Sequence, residues 1–392
     1  MYAHGPLRER ATTYLQGLVR IPSVNPGLVP SGAGEAAIAH HICGLMAAWG
    51  LEVEEHEFAP GRPNAIGILR GSGGGRALLF NGHTDTVGTA GMAGPFSGEI
   101  RDGKLFGRGA IDMKASLAAT LAATEAIVGR GDKLRGDVVF TYVGDEEHVS
   151  LGTEGIVADV AAGRLPRPAG AINTEPTGVR LGIGHRGYAW IEIETRGRAA
   201  HGSRPDLGVD AIAHMGRVLA QIERLQARLA EGPRHPLLGT GSVHASLIQG
   251  GRELSTYPDS CTLAAERRTV PPESGADVAE EFSAILRGLA GDDPQFSGTS
   301  RVTFVRDPWE ANPASEVVQM LGRSVAGVTG RPAESMVHSA WLDASLLGQA
   351  GIPTVVLGPA GDGLHAAEEW VDLDSVGTCA QIYADVIEQF CG

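Results

Sequence analysis

The sequence has few of the residues that would place it outside ordinary globular proteins. It has four cysteines, with no C-x-x-C pair among them: Cys43, Cys261, Cys379 and Cys391. A disulfide framework or zinc ribbon is therefore not expected, and we expect buried or incidental thiols. No window approaches about eighteen uninterrupted apolar residues, so we expect no membrane span.

Lysine is also scarce, and negative charge is in excess. Only three of the 32 basic residues are lysines, and 46 acidic residues give a formal net charge of −14. Such a surface repels a polyanion, so nucleic acid is not expected as a partner. The N-terminal stretch has no basic segment followed by an apolar run, which makes a cytoplasmic location the default expectation.

Length and composition indicate a folded protein of two domains or one large one. The 392 residues are 43% hydrophobic and 20% charged, close to the globular average. Over residues 1–182, short strand-like runs alternate with helical segments. This alternation predicts an α/β fold, a mostly parallel sheet with helices on both faces.

The pattern changes over residues 183–308. There the elements follow the order βαββαβ, which is typical of a ferredoxin-like antiparallel sheet with two helices on one side. The α/β pattern resumes over 309–392. The sequence therefore predicts an α/β domain in two parts, 1–182 and 309–392, with a second domain inserted between them and hinges at the two crossings.

Residue types that bind metals follow four of the predicted core strands. Ala77–Phe80 leads to His83 and Asp85, Asp137–Val143 to Asp145, Glu146 and Glu147, Ala169–Asn173 to Glu175, and Thr354–Leu357 to His365. Ligands of open α/β sheets bind beyond the carboxyl ends of the strands, so these side chains should converge on one edge. Asp112, at the start of a predicted helix, faces the same edge.

A divalent cation explains this convergence. Carboxylates gathered without nearby lysines repel one another unless a cation lies between them. Nitrogen and oxygen ligands without thiolate suit Zn²⁺, with Mn²⁺ or Co²⁺ as alternatives. The ligands exceed the needs of one four-coordinate ion, and two ions about 3.5–4 Å apart, bridged by one carboxylate, use them better.

Each of these residues also has an ordinary structural explanation. His83 alone could be a turn histidine, and Glu146 and Glu147 a solvated pair in a loop. Glu175 and His365 could be surface residues. Asp85 could orient the His83 imidazole, and only the convergence of all these residues favours a site.

Six motifs, in this order, carry a resemblance to a known family: FNGHTDTV, GRGAIDMKASLAA, YVGDEE, NTEPT, RGRAAHGSRPDLGVDAI and GLHAAEEWV. The sequence resembles, over nearly its whole length, the co-catalytic zinc amidohydrolases and peptidases that include acetylornithine deacetylase, succinyl-diaminopimelate desuccinylase, aminoacylase-1 and carboxypeptidase G. The resemblance implies that the α/β parts form the catalytic domain and that 183–308 is a lid and dimerisation domain.

The resemblance also implies a role for each candidate residue. One zinc would be held by His83 and Glu175 and the other by Glu147 and His365. The remaining three residues would have other roles: Asp112 would bridge the two ions, Asp85 would orient His83, and Glu146 would be the general base.

Three residues of the inserted domain match further positions of the family. His201 matches a histidine that, in dimeric members, reaches the partner's active site and stabilises the oxyanion. Arg268 matches the arginine that holds the substrate carboxylate, and its neighbour Arg267 should point to the other face of the strand. Ser255 stands where the family often has asparagine, so the resemblance does not determine which part of the substrate would bind there.

The activity implied by the resemblance is hydrolysis of the amide bond of an N-acyl amino acid, by a water molecule activated by two metal ions. The alternatives are a dipeptidase or carboxypeptidase acting on short peptides, and an inactive two-lobed binding protein. A serine hydrolase built on His201 and Ser203 is disfavoured, because the sequence has no G-x-S-x-G elbow. A homodimer through the inserted domain is expected.

Overall fold

The structure, a computed structural model, describes residues 2–89, 91–131 and 133–392. The chain divides into two compact units. Unit 1 comprises Met1–Ile183, Ala311–Met336 and Leu342–Gly392, and unit 2 comprises Gly184–Glu310 and Val337–Trp341. Residues 309–310 and Val337–Trp341 lie in unit 2, whereas the sequence pattern placed 309–392 in the α/β domain, and Ile183 lies in unit 1 rather than in the inserted domain.

The secondary structure elements are numbered here in chain order. The helices are α1 (His4–Val19), α2 (Ala36–Ala48), α3 (Ala115–Arg130), α4 (Leu151–Ala161), α5 (Ala211–Glu231), α6 (Gly275–Asp292), α7 (Glu316–Thr329), α8 (Ala344–Gln349) and α9 (Leu373–Cys391). The strands are β1 (Glu52–Ala59), β2 (Arg62–Leu69), β3 (Leu78–His83), β4 (Glu99–Arg101), β5 (Lys104–Phe106), β6 (Val138–Val143), β7 (Gly170–Asn173), β8 (Leu181–His185), β9 (Gly187–Arg196), β10 (Ser242–Gly250), β11 (Ser260–Thr269), β12 (Ser297–Arg306), β13 (Trp309–Glu310), β14 (Ser335–His338), β15 (Thr354–Val356), β16 (Gly361–Asp362) and β17 (Trp370–Asp372).

The main sheet of unit 1 has the strand order β1-β2-β6-β3-β7-β15-β8. Its centre, β6-β3-β7-β15, is parallel, and the flanking strands β1, β2 and β8 pair antiparallel. The central strands are buried on both faces, as expected when helices cover both sides of a parallel sheet. The prediction of an α/β fold with a mostly parallel sheet is confirmed.

Side-chain alternation along the central strands shows how the two faces are covered. Leu79 belongs to one buried cluster with Ile156 of α4 and Leu347 of α8. The next residue, Phe80, points to the other face, where its ring lies 5.4 Å from that of Tyr383 in α9. Each central strand therefore contributes to two cores, and its carboxyl end is left at the sheet edge.

Unit 2 has a four-stranded antiparallel sheet with the order β10-β11-β9-β12. Helices α5 and α6 pack on one face, where Met215 and Phe282 share a buried cluster with Ile191 and Leu263. This arrangement agrees with the predicted ferredoxin-like βαββαβ order.

Two further expectations can be compared with the structure. All four cysteines are buried and free. Within the described ranges, no helix combines the length and the apolar character needed to cross a bilayer.

Candidate metal centre

Three neighbouring strands of the parallel sheet bring most of the predicted ligands to one edge. His83 is the last residue of β3, Glu146 and Glu147 follow β6, and Glu175 follows β7. Because β6, β3 and β7 are adjacent and parallel, their carboxyl ends meet at the same edge. The remaining two candidates come from loops, Asp112 from the turn before α3 and His365 from the segment between β16 and β17.

Close packing at the end of β3 requires glycine before the histidine. A Cβ atom at Gly82 would lie 2.5 Å from Thr174 Oγ1 and 2.7 Å from Leu117 Cδ2. Any larger residue would therefore require these side chains to move. Glycine here lets His83 sit directly beside the loop that carries Glu175.

Three carboxylates surround the buried imidazole of His83. Its Nε2 atom lies 3.1 Å from Asp112 Oδ1, 3.6 Å from Glu175 Oε1 and 3.9 Å from Glu146 Oε2. The His83 side chain is only 1% exposed. Water cannot screen so many negative charges around one ring, which makes this a strongly electronegative pocket.

His365 forms a second group with the same aspartate. Its Nε2 atom lies 3.0 Å from Glu147 Oε2 and 3.4 Å from Asp112 Oδ2. The two oxygens of Asp112 therefore face two different histidines, one buried and one half-exposed. This is the position that a bridging ligand between two metal ions would occupy.

The donor atoms fit a metal centre. Ligand atoms of His83, Asp112 and Glu147 lie within 4.8 Å of one another, as do those of His83, Glu146 and Glu175. Glu147 Oε1 and Glu175 Oε1 are buried without a hydrogen-bond partner among the described residues. Buried carboxylate oxygens are expected to have a partner, and a cation supplies one.

The pKa values in this pocket reflect the excess of negative charge. Burial, together with neighbouring carboxylates, raises the pKa of Glu146 and of Glu175 well above the usual range. Burial opposes protonation of His83, yet the charge of Glu175 and the hydrogen bond with Asp112 raise its pKa well above 6.5. The hydrogen bond with Asp112 also raises the pKa of His365 to about 10. In the metal-free protein, bound protons reduce the repulsion between these carboxylates. A divalent cation would reduce it while the carboxylates stay ionised.

Asp85 contacts both His83 and the acidic loop. His83 Nδ1 lies 2.9 Å from the backbone carbonyl of Asp85 and 3.6 Å from its carboxylate. The carboxylate itself accepts the backbone N–H groups of Glu146 and Glu147, each at 3.2 Å. The backbone of Asp85 therefore orients the imidazole, while its side chain orients the loop after β6.

A buried polar network behind Asp85 was not found from the sequence. Asn25 donates to the Asp85 carboxylate at 2.7 Å, and the guanidinium of Arg62 contacts Asn25, Glu35 and Asp145. Glu35 and Asp145 are fully buried. Asp145 was predicted from its place after a core strand to lie with the metal-binding residue types, and it instead forms an ion pair with Arg62. No sequence pattern indicated that Glu35 and Arg62 contact each other.

The other three candidates lie in unit 2. The His201 ring accepts the backbone N–H of Ser203 at Nδ1, at 3.2 Å, and the same nitrogen lies 2.8 Å from Ser203 Oγ. These contacts fit the tautomer that carries its proton on Nε2. The backbone carbonyl of Ser255 accepts the N–H of Gly202, the residue after His201, so Ser255 lies close to His201. The Ser255 side chain is exposed.

Arg268 lies near the end of β11, on the face of the unit 2 sheet opposite the helices. Its Nε donates to Glu266 Oε1 at 2.7 Å, and its guanidinium lies over the Tyr188 ring. Arg267 points the other way, as predicted, and is buried in ion pairs with Glu273 and Glu281.

Comparison with known proteins agrees with the geometry. The profile of peptidase family M20/M25/M40 matches residues 79–389. An acetylornithine deacetylase of Myxococcus xanthus is 29% identical over 359 residues, 88% of this chain and 90% of that protein. A succinyl-diaminopimelate desuccinylase of Methylobacterium sp. is 28% identical, over 96% of this chain and 94% of that protein. A crystal structure described as a dinuclear metal-binding peptidase of family M20, from Bacillus subtilis, superposes with a TM-score of 0.75 at 15% identity, over 98% of each chain.

The fold and the cluster of ligands define an α/β metallohydrolase. The chain belongs to peptidase family M20/M25/M40. The resemblance stated from the motifs is confirmed, and with it the prediction of a metal-dependent hydrolase that acts on amide bonds.

Proposed function

We propose that this chain removes the acyl group from an N-acyl amino acid by hydrolysis of its amide bond. The observation that carries the proposal is the placement of the Asp112 carboxylate between the His83 and His365 imidazoles, at 3.1 and 3.4 Å, with Glu146 3.9 Å from His83. The relatives named as deacetylase and desuccinylase support the choice of an N-acyl substrate.

The five ligands would hold two Zn²⁺ ions, with Co²⁺ or Mn²⁺ as alternatives. His83 and Glu175 would hold one ion, Glu147 and His365 the other, and Asp112 both. Such ions, when bound, lower the pKa of a water molecule and polarise a substrate carbonyl. The nitrogen and oxygen donor set and the two unpartnered carboxylate oxygens support this assignment.

Glu146 is the general base of the proposed reaction. It accepts a proton from water as the water oxygen bonds to the amide carbon. It then delivers that proton to the nitrogen as the C–N bond breaks, so that the products are a carboxylic acid and a free amine. Its backbone N–H, held by Asp85, fixes the start of its side chain.

The residues of unit 2 would bind the substrate. Arg268 would pair with its carboxylate, since an arginine presents two parallel N–H donors to such a group. His201 would donate from Nε2 to the developing oxyanion, a contribution commonly worth about 3–4 kcal/mol for a well-placed donor. Ser255 would contact the remainder of the substrate.

A homodimer through unit 2 is part of the proposal. Strand β10 is an edge strand, and its Leu247 and Ile248 are 74% and 55% exposed. Exposed apolar residues on an edge strand are typical of a surface that pairs with another chain. His201 would then act on the partner's substrate. A cytoplasmic location stays a prediction.

Peptide hydrolysis is the second candidate, because the Bacillus subtilis protein of the same fold is described as a peptidase. Both reactions break an amide bond, and both would use the same centre. They differ in whether the acyl group carries an α-amino group.

The two candidates are separated by metal analysis followed by a substrate screen. We expect about two divalent ions per chain by elemental mass spectrometry, and release of amine from N-acetyl, N-succinyl or N-formyl amino acids that a chelator abolishes. Preferential cleavage of dipeptides would favour the peptidase. Protein that binds both ions but cleaves nothing would overturn the hydrolase in favour of a binding protein.

A further inference from the structure

One buried carboxylate outside the ligand set receives four hydrogen bonds from the segment that carries Asp112. Glu369 Oε2 accepts from Arg108 Nη1 at 2.7 Å and from the backbone N–H of Gly109 at 3.0 Å. Its Oε1 accepts the backbone N–H groups of Ile111 and Asp112 at 3.0 and 3.2 Å. Glu369 is 1% exposed, so these four donors replace its solvation.

These contacts replace hydrogen bonds that the backbone cannot make by itself. Gly109 has a φ of 80°, and Asp112 has φ −116° and ψ 91°, so this segment does not follow a regular helix. Its buried N–H groups need acceptors from elsewhere. Glu369 supplies them, and thereby fixes the backbone from which the Asp112 side chain projects.

Arg108 extends the same link to the segment that carries His365. Its Nη2 donates to the carbonyl of Ala366, the next residue after His365, at 2.8 Å, and its Nε donates to the carbonyl of Gly88 at 3.1 Å. Arg108 is 2% exposed. One guanidinium therefore contacts the segment between β16 and β17 at two points, and that segment carries both Glu369 and the candidate ligand His365.

We propose that Arg108 and Glu369 are positioning residues that hold Asp112 and His365 at a fixed separation, so that the metal centre is formed before metal binds. This inference rests on the proposed function, because it assumes that both residues are ligands. Neither Arg108 nor Glu369 belongs to the proposed set of ligands. Their effect is to reduce the rearrangement that binding requires, as outer hydrogen-bond partners of ligands do in metal sites.

The Glu369→Gln variant tests this role with almost no change of volume. All four partners of Glu369 are donors, and a carboxylate is acceptor-only. An amide must turn its NH₂ group toward two of these donors, whichever way it is oriented. The variant therefore loses two hydrogen bonds and leaves buried donors unpaired.

The matched control is Glu368→Gln, which removes the same charge from the adjacent, exposed residue. We expect Glu369→Gln to weaken the binding of Zn²⁺, measured by competition with a chromophoric chelator, by about 10–100-fold. Glu368→Gln should bind Zn²⁺ like the wild type. Unchanged affinity in folded Glu369→Gln overturns the inference.

A second variant covers the case in which Glu369→Gln does not fold. Arg108→Lys keeps the charge but cannot donate to Glu369, Ala366 and Gly88 together. Its Zn²⁺ affinity should fall several-fold, with circular dichroism of the metal-free protein unchanged, and wild-type affinity would overturn the inference. Wild-type protein that binds no Zn²⁺ would instead overturn the proposed function, so the two failures are distinguishable.

Discussion

The carboxylate of Asp85 accepts the backbone N–H of Glu146 at 3.2 Å. It also accepts the N–H of Glu147 and the side-chain amide of Asn25. Burial raises the pKa of Asp85 to about 7 in the metal-free protein. The side chain thus organises the loop that holds both a proposed ligand and the proposed base.

Replacing Asp85 by Asn should therefore lower activity by disturbing this loop. The NH₂ group of the amide would face one or two of the three donors, depending on its orientation, and we expect kcat to fall by about 10–100-fold. Steady-state kinetics with the substrate found in the screen provide the measurement. Asp102→Asn, an exposed position in the β4–β5 turn, is the charge-matched control. Equal rates for Asp85→Asn and the control would contradict the assigned role.

Glu146→Gln separates the base from the ligands. The amide keeps the size of the side chain but cannot accept a proton, so kcat should fall by about 10²–10⁴-fold. KM and the metal content, measured by elemental analysis, should stay close to those of the wild type, because five other residues would hold the ions. Loss of an ion would show that Glu146 is itself a ligand, and wild-type kcat would show that it is not the base.

The sequence was most informative where local pattern and topology act together. His83, Glu147 and Glu175 were predicted to converge because each follows an apolar strand, and adjacent parallel strands bring their ends to one edge. Apolar runs are local signals, and the ferredoxin-like order of unit 2 followed from them as well.

Residues that act through long-range hydrogen bonds were not predictable in this way. Arg62 reaches Asp145 across 83 positions, and Arg108 reaches Glu369 across 261. Whether an arginine is solvated or buried depends on the tertiary fold, and no periodicity reports it. The strands β16 and β17, of two and three residues, were missed because they are too short to show alternation.

Exposure of Leu247 on the edge strand β10 leads to a prediction about assembly. Leu247→Arg should shift the protein from dimer to monomer in sedimentation equilibrium, because a charge on the edge disfavours pairing. If His201 acts across the interface, the same variant loses most of its activity. Leu28→Arg, at a 42% exposed position of unit 1, is the control. A wild-type protein that is monomeric and active would refute the proposed dimer.

The buried thiols should make stability fall at alkaline pH. Burial raises the pKa of Cys43 from 9.0 to about 11 and that of Cys391 to about 12. A thiol that holds its proton more tightly in the folded state stabilises that state fully below pH 9, and the contribution is lost as pH rises toward these values. Urea unfolding at pH 8 to 11 should therefore show a smaller loss of stability for Cys43→Ala than for the wild type. At pH 8, the native protein should also react with a thiol reagent only after denaturant is added. Rapid reaction of the native protein, or identical pH profiles for the variant and the wild type, would contradict this prediction.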